Sequence, residues 1–446
     1  MIPTHKSQTK PGRTQAFSMC ASNKRRHFLK FIHTADIHLD SPLSGLAAYK
    51  DAPADLLRTV TRDAFTKLVD AAMEEAVDFM VISGDLYDGT WKDYNTGHFF
   101  CREMGRLNKV GIPVYLLFGN HDADSEMTKK LMLPANVHQF DSRKASTFHL
   151  EALKVALHGR SYKEAATVEN LASSYPAAVA GWLNIGLLHT ALEGYAAHAN
   201  YAPCSVAELT AKGYDYWALG HVHEHAIIQK SPWVVFPGNL QGRHIRETGA
   251  RGAVLVTADE SGIQSVERLL VDLLRWHVVA VDASAASTMS EVVSLVGQAF
   301  ERLVTETPDK IYLSVRVCIK GKTSAHGELF GLESQLREEI LGQAAGQGID
   351  RLWVEKVRLE TEPLTDMSQL ALRSDAIADL QRLLADAPVD VDFLKSLMDD
   401  LRPMVEKAPM ELIKSVPELD AIRRGNVVDI VKSVTPGLLA YLSTSN

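Results

Sequence analysis

Thiol chemistry has little to work with in this chain. Its 446 residues include four cysteines, Cys20, Cys101, Cys204 and Cys318, and no two of them stand in a CxxC spacing. A disulfide framework or a thiolate zinc site is thereby excluded as an organising principle. Reduced, mostly buried thiols in a cytoplasmic protein are the expectation. No apolar run approaches the roughly 18 residues needed to cross a bilayer, so no membrane span is expected. Positive charge is also short, since a net charge of −8 argues against coating nucleic acid through bulk basicity. The first 35 residues lack any acidic side chain and carry Lys6, Lys10, Arg13, Lys24, Arg25 and Arg26. They also lack the apolar h-region of a secretory signal. Residues 1–27 are therefore read as a disordered basic extension, with Met19 as an alternative start and a DNA-touching arm as the functional alternative.

What is present is a globular composition, 46% hydrophobic and 23% charged, and enough length for about two or three domains. Through residue 255, apolar runs alternate with helical patterns. The spacing predicts strands at 28–34, 79–82, 114–118, 185–188 and 216–219. It predicts helices through Leu56, Val60, Ala64, Leu68 and Ala72, and through Phe99, Phe100, Met104 and Leu107. Continuous apolar runs of this kind mark strands buried on both faces. After Leu270 a small α/β module is expected, with strands at 276–281, 311–319 and 352–359 and helices at 291–303 and 334–340. From Leu364 onward short helices are expected, broken by Pro388, Pro403, Pro409, Pro417 and Pro436. The expected division is 1–27, 28–270, 271–362 and 363–446.

Five blocks rich in Asp, His and Asn close apolar runs in the first 240 residues. They are Asp36-Ile37-His38, Gly84-Asp85-Leu86-Tyr87-Asp88, Gly119-Asn120-His121-Asp122, His189, and Gly220-His221-Val222-His223. A lone DxH arises by chance, and a single Asp after a strand is more often a cap or turn former. Five such blocks in the same position relative to a strand are not explained that way. Ligands in layered α/β proteins sit beyond the carboxyl ends of strands, so residues far apart in sequence can meet there. Asp36, His38, Asp85, Asn120, His189, His221 and His223 are candidate ligands, enough for two divalent ions if one carboxylate is shared. Asp85, after a Gly84 that lets the backbone pass closely, is placed to bridge. Paired ions about 3.5–4 Å apart are the usual device for in-line displacement at phosphorus.

In this order the blocks resemble the calcineurin-like metallophosphoesterase superfamily. His33-Thr34-Ala35-Asp36-Ile37-His38-Leu39 resembles the opening of the SbcD-type DNA repair exonucleases. Pro237-Gly238-Asn239-Leu240-Gln241-Gly242-Arg243-His244 is similar to the segment after their last ligand pair. The stretch from Asn200-Tyr201-Ala202-Pro203-Cys204 to Gly220-His221 looks closest to the YhaO-like branch. The likeness covers residues 30–260 and, more loosely, 271–360. It implies an α/β fold: a two-layered β-sandwich flanked by helices, a small α/β capping domain and a helical C-terminal tail. It implies one metal on Asp36, His38, Asp85 and His223, and another on Asp85, Asn120, His189 and His221. It further implies that His121 faces the phosphate as general acid or electrostatic stabiliser, with Asp122 orienting its imidazole. Some nucleases of the family place a His where Asp88 stands. A carboxylate cannot donate a proton there at neutral pH unless its pKa is raised, so a structural hydrogen bond or a turn is the other reading of Asp88.

The function so implied is a Mn²⁺-dependent DNA exonuclease in repair or end processing, working with an SMC-like coiled-coil ATPase docked on helices beyond the capping domain. Association with a second copy is a further expectation. The tail independently fits a docking role, through Leu412, Ile413, Val416, Leu419, Ile422, Val427, Val428, Ile430, Val431, Leu438, Leu439 and Leu442; covering the protein's own core is the alternative. Arg243, His244, Arg246 and Arg251 cluster past the last ligand pair. Arg243 and Arg246 are candidate contacts to backbone phosphates, against a solvated turn paired with Glu247. Tyr195 and Tyr201 are candidates to stack on a base, against plain loop packing. The metal core alone does not separate a nuclease from a phosphatase or phosphodiesterase acting on a small molecule. A non-catalytic scaffold of the same fold is the remaining rival, and metal content separates it.

Overall fold

Strand β1 (Leu29–Thr34) shows how the core is built. Adjacent side chains on a strand point to opposite faces, and here Phe31 and Ile32 are both fully buried. Something must therefore cover each face. The computed structural model describes residues 28–43, 54–88, 94–123, 132–193, 201–348, 351–364 and 376–444; the expected basic extension at 1–27 and Tyr195 lie outside them. In it, β1 joins β2 (Phe79–Ser83), β3 (Val114–Leu117), β4 (Val137–Gln139), β11 (Gly252–Asp259) and β12 (Gly262–Leu270) in a six-stranded sheet of order β12-β11-β1-β2-β3-β4. A second sheet takes β5 (Ser146–Leu150), β6 (Val155–Gly159), β7 (Leu183–His189), β8 (Tyr216–Gly220), β9 (Ala226–Lys230) and β10 (Trp233–Phe236) in the order β5-β6-β7-β8-β10-β9.

Phe31, Phe79 and Val81 of the first sheet meet Ile185, Leu187 and Tyr216 of the second. On the outer face of the first sheet, Ile32, Met80 and Leu116 pack under helices α1 (Ala54–Glu74) and α2 (Tyr94–Lys109) through Phe65, Leu68, Phe100 and Met104. On the outer face of the second, Leu188, Trp217 and Phe236 are covered by Tyr175 and by Leu209 of α4 (Val206–Ala211), which follows the short α3 (Asn120–Ala123). The result is the helix-flanked β-sandwich that the apolar runs predict. β1 to β4 run parallel, as do β6, β7, β8 and β10, so the carboxyl ends of both sets gather along one edge.

A third sheet of three parallel strands follows, β13 (Leu274–Asp282), β14 (Tyr312–Thr323) and β15 (Leu352–Pro363). One face packs on α5 (Met289–Glu306), the short α6 (His326–Gly331) and α7 (Glu333–Gly346). The opposite face begins with Trp276, buried against Leu43 and Val60 of the sandwich. Its indole Nε1–H donates to the Gly242 carbonyl at 3.0 Å.

The tail forms α8 (Ala376–Asp386), α9 (Val391–Lys407), α10 (Met410–Ser415), α11 (Pro417–Arg423) and α12 (Val427–Thr444). Two prolines do not break it as expected: Pro403 lies within α9 and Pro436 within α12. The missing hydrogen bond of an internal proline is offset in α9 by burial of Val405 beside it, in a cluster with Ile413 and Ile422. Val427 and Val431 are buried too, and α12 packs against α6. Much of the tail's apolar surface is thus spent inward. Leu383, Val389, Val391 and Met404 remain exposed.

One polar group is set deep between the two large sheets. His33 is fully buried; its Nε2–H donates to the Leu219 carbonyl at 3.0 Å and its Nδ1 accepts from the Tyr216 hydroxyl at 3.0 Å. Burial pushes its pKa down to about 3. In the unfolded chain it takes up a proton near pH 6.5, so folding loses stability as pH falls below that value and continues to do so toward the folded pKa. His33→Gln keeps a donor and an acceptor without the titration. In chelated protein its denaturant-derived stability should fall less steeply between pH 6 and 4, by up to about 1.4 kcal/mol per pH unit. Equal slopes in both proteins would show that His33 does not govern this limb.

Candidate metal centre

The edge where the parallel strands end is drawn together by specific contacts. The loops after β1 and β2 continue as a pair, with Asp36 N donating to Gly84 O at 3.0 Å and His38 N to Asp85 O at 3.1 Å. Across the sheets, His221 N donates to both Asp36 oxygens at 3.0 Å. Ser83 Oγ–H donates to Ala218 O at 2.8 Å. The approach is so close that a Cβ at Gly220 would collide with the Ser83 carbonyl, and one at Gly84 with the His189 ring.

Backbone strain collects at the same place. Asp36, His38, Asp85 and His221 have φ of 49°, 45°, 52° and 103°, a region that costs L-residues free energy and persists where the surroundings enforce it. Asp36, His38, Asp85, Asn120, His189 and His221 are all buried. Donor atoms of Asp36, His38 and His223 lie within 4.8 Å of one another, as do those of Asp85, His189 and His221. The Asp85 carboxylate spans the two groups, with Oδ2 3.4 Å from His189 Nε2 and 3.9 Å from His38 Nε2.

This donor set fits cations. His189 Nδ1–H is committed to the Ser83 carbonyl at 2.9 Å, which leaves Nε2 without a proton in the neutral ring. Yet Nε2 faces two acceptors, Asn120 Oδ1 at 2.9 Å and Asp85 Oδ2 at 3.4 Å. Burial alone would lower the His189 pKa; the adjacent Asp85 carboxylate outweighs it and lifts the value to about 9. His38 Nε2 likewise faces His223 Nε2 at 3.2 Å. The acceptors converging on His189 Nε2 suit a positive charge between them, and the His38–His223 pair can share either one proton or such an ion. Two donors each about 2.1 Å from one ion are roughly 3 Å apart at a right angle, which is the spacing found.

His121 lies beside these two groups: its donor atom and those of His38 and Asp88 form a third set within 4.8 Å of one another. Its side chain is 39% exposed and Nδ1 lies 3.1 Å from Asp88 Oδ1, while the Ser41 hydroxyl donates to the other Asp88 oxygen at 2.9 Å. The Asp88 hydrogen bond raises the His121 pKa. The role expected of Asp122 is corrected here. Its buried carboxylate accepts from Leu86 N at 3.2 Å, Tyr87 N at 2.9 Å and Gly119 N at 3.0 Å. One carboxylate thus accepts from three backbone amides. Asp122 therefore ties the second and third ligand loops together, and Asp88 is the residue that orients His121.

The basic cluster also divides. Arg251 is buried and donates to the His223, Thr248 and Asn239 oxygens, so it braces the ligand loop. Arg243 is largely buried, with Nη1 3.3 Å from Ser41 Oγ and Nη2 3.4 Å from Glu247. Arg246 is exposed. Tyr201 packs its ring 5.8 Å from that of His221. Sequence reasoning missed Glu247 as part of the centre; it is buried behind His223, with Oε1 2.7 Å from Nδ1. Its only sequence signal is its position just past the last ligand pair.

Residues 29–225 match the family model for calcineurin-like phosphoesterases, and residues 276–362 match that for the middle domain of metallophosphoesterase YhaO. The chain is 36% identical to metallophosphoesterase YhaO of Bacillus subtilis over 279 residues, which is 62% of this chain and 68% of that protein. The chain belongs to the YhaO-like calcineurin-type metallophosphoesterases. This family member is also 24% identical over 405 residues to the DNA double-strand break repair protein Mre11 of Methanopyrus kandleri, covering 83% of this chain and 86% of that one. With the protein of that name from Sulfurisphaera tokodaii it shares 24% over 276 residues, 57% of this chain and 66% of that one. No helix among the described residues of this metallophosphoesterase is long and apolar enough to cross a membrane.

Asp122 and His121 should behave differently when removed. Asp122→Ala removes the buried acceptor of three backbone donors and should cost about 3 kcal/mol of stability in chelated protein. His121→Ala, partly exposed, should cost less than about 1 kcal/mol. Urea unfolding of both variants decides the matter, and equal small effects would restore Asp122 to an orienting role.

Proposed function

We propose that this metallophosphoesterase is a two-metal phosphodiesterase that acts on DNA ends as an exonuclease, with Mn²⁺ as the favoured ion. The observation that carries the reading is the reach of the Mre11 likeness. It covers 83% of the chain, more than the ligand-bearing segment 29–225 can account for. A hydrolase that shared only the metal chemistry would need to resemble such a protein only there.

In this reading Asp36, His38, Asp85 and His223 hold one ion, and Asp85, Asn120, His189 and His221 hold the other. The position of Asp85 Oδ2 between His38 and His189 supports its sharing. Divalent ions so placed would neutralise phosphoryl charge and make water a stronger nucleophile at neutral pH. His121, held through Nδ1 by Asp88, whose hydrogen bond raises its pKa, donates a proton toward the leaving oxygen. Asn120 supplies the neutral oxygen beside it. Exposed Arg246, and Arg243 at the cleft wall, contact backbone phosphates. The exposed apolar side chains of the tail suit an SMC-like coiled-coil ATPase, and pairing with a second copy belongs to the same proposal.

The test uses chelator-stripped protein reconstituted with Mn²⁺. End-labelled duplex and single-stranded DNA are assayed beside mono- and bis-p-nitrophenyl phosphate. DNA and the diester should be cleaved, whereas cleavage of the monoester alone would move the reading to a small-molecule phosphatase. Asp85→Asn should abolish turnover and lower metal content. His121→Ala should keep both ions and lose about 10²–10⁴-fold in rate; loss of an ion from this variant would refute its assignment. Arg246→Ala should weaken DNA binding and make its salt dependence shallower.

A further inference from the structure

The imidazoles of the centre are anchored in different ways. His189 gives its Nδ1–H to a backbone carbonyl, Ser83 O. His38 Nδ1 is buried with no hydrogen-bond partner, and its ring is set by edge contacts with His121 and His223 at 4.9 and 5.0 Å between centroids. Of these three rings, His223 is the one whose Nδ1 meets a carboxylate, that of Glu247 at 2.7 Å. Glu247 is 6% exposed, and a carboxylate that deep must be compensated. It accepts from Arg243 N at 2.7 Å and Asn239 Nδ2 at 2.9 Å through one oxygen, and from His223 through the other. With both oxygens engaged, the carboxylate has little freedom to turn.

We propose that Glu247 is the positioning residue of this metal centre: it fixes His223 with Nδ1 protonated and Nε2 aimed at His38 Nε2, and so sets how tightly one of the two ions is held. Carboxylate partners behind a ligand imidazole fix its tautomer, orient the ring and raise its basicity. Because His38 lacks an anchor of its own, the orientation imposed on His223 passes to both imidazoles of that group. Glu247 also begins a polar belt around the cleft. Arg243 Nη2 is 3.4 Å from Glu247 and its Nη1 donates to Ser41 Oγ at 3.3 Å. Ser41 donates to Asp88, and Asp88 holds His121. The belt reaches the group built on Asp85, His189 and His221 less directly, through the His121 amide, which donates to Asp85 Oδ1 at 3.0 Å.

The inference rests on the two-ion reading, and the experiment separates the two. Full-length, chelator-stripped wild type, Glu247→Gln and Glu247→Ala are titrated with Mn²⁺ by calorimetry, and their melting temperatures are measured in EDTA and in excess Mn²⁺. Wild type should bind two ions. Glu247→Ala should weaken one site about 10–100-fold and leave the other unchanged. Glu247→Gln, whose amide oxygen can still accept from Nδ1 while its NH2 faces the Arg243 and Asn239 donors, should show a smaller loss at the same site and melt in EDTA somewhat below wild type but still as a folded protein. Should Glu247→Ala not fold, Glu247→Gln decides alone. Wild-type affinity at both sites in the folded variants, or equal loss at both, overturns the proposal. Fewer than two ions on wild type counts against the two-ion reading, and against Glu247 as well if the variants bind like wild type.

Discussion

The closest approach of the two large sheets, where the end of β8 passes the Ser83 carbonyl at the end of β2, governs the rest of the molecule. Only a residue without a side chain fits there, and Gly220 provides it. Because the chain passes so near, His221 N reaches Asp36, His189 Nδ1 reaches Ser83 O, and Ser83 Oγ reaches Ala218 O. Ligands from five separate segments then face one another across the seam. About an ångström more between the sheets would break these bonds and leave buried polar groups unsatisfied, each at a cost of about 1–3 kcal/mol.

The seam stores strain as well as order. Four candidate ligands have left-handed backbone, and the buried His189 Nε2 faces two acceptor oxygens. An apolar core would not tolerate this arrangement. It is stable where a cation, a proton or a metal, occupies the shared space, so folding and ion binding are linked. The hydrophobic layers on both faces of the sheets hold the seam closed against that repulsion, and Asp122 binds the ligand loops from behind.

The loop from Asn239 to Glu247 is where the sandwich meets the three-stranded sheet. Gln241 Oε1 accepts from Leu273 N and Leu274 N, its Nε2 donates to Leu274 O, and Trp276 donates to Gly242 O. Arg243 and Glu247, on the same loop, face the centre. A shift of β13 would therefore be felt at His223 through one short segment. That places the added unit in mechanical contact with the chemistry rather than merely beside it.

The candidate ligands, the sandwich and the later α/β unit were visible in the sequence because each rests on local pattern. Apolar runs such as Phe79–Ile82 and Tyr216–Leu219 are long and bounded, and each is followed by its Asp- or His-rich block. The shorter strands β4, β5 and β9, and the antiparallel pair β11–β12, carried weaker signals because their residues are partly exposed or alternate, and β10 is only four residues long; partners far along the chain stabilise them. Pro403 and Pro436 misled for the same reason, since packing outweighed the local cost. Residue type and order likewise named the donors but not their partners. Asp88 and Asp122 flank equivalent-looking motifs, and only the fold turned one toward His121 and the other toward three backbone amides. Glu247 has no local signature, because a carboxylate becomes an anchor for His223 through where the chain brings it. Sequence determined which atoms could bind and react; tertiary structure decided which of them meet, because hydrogen bonds and metal-ligand contacts depend on distances that close only when the two sheets do.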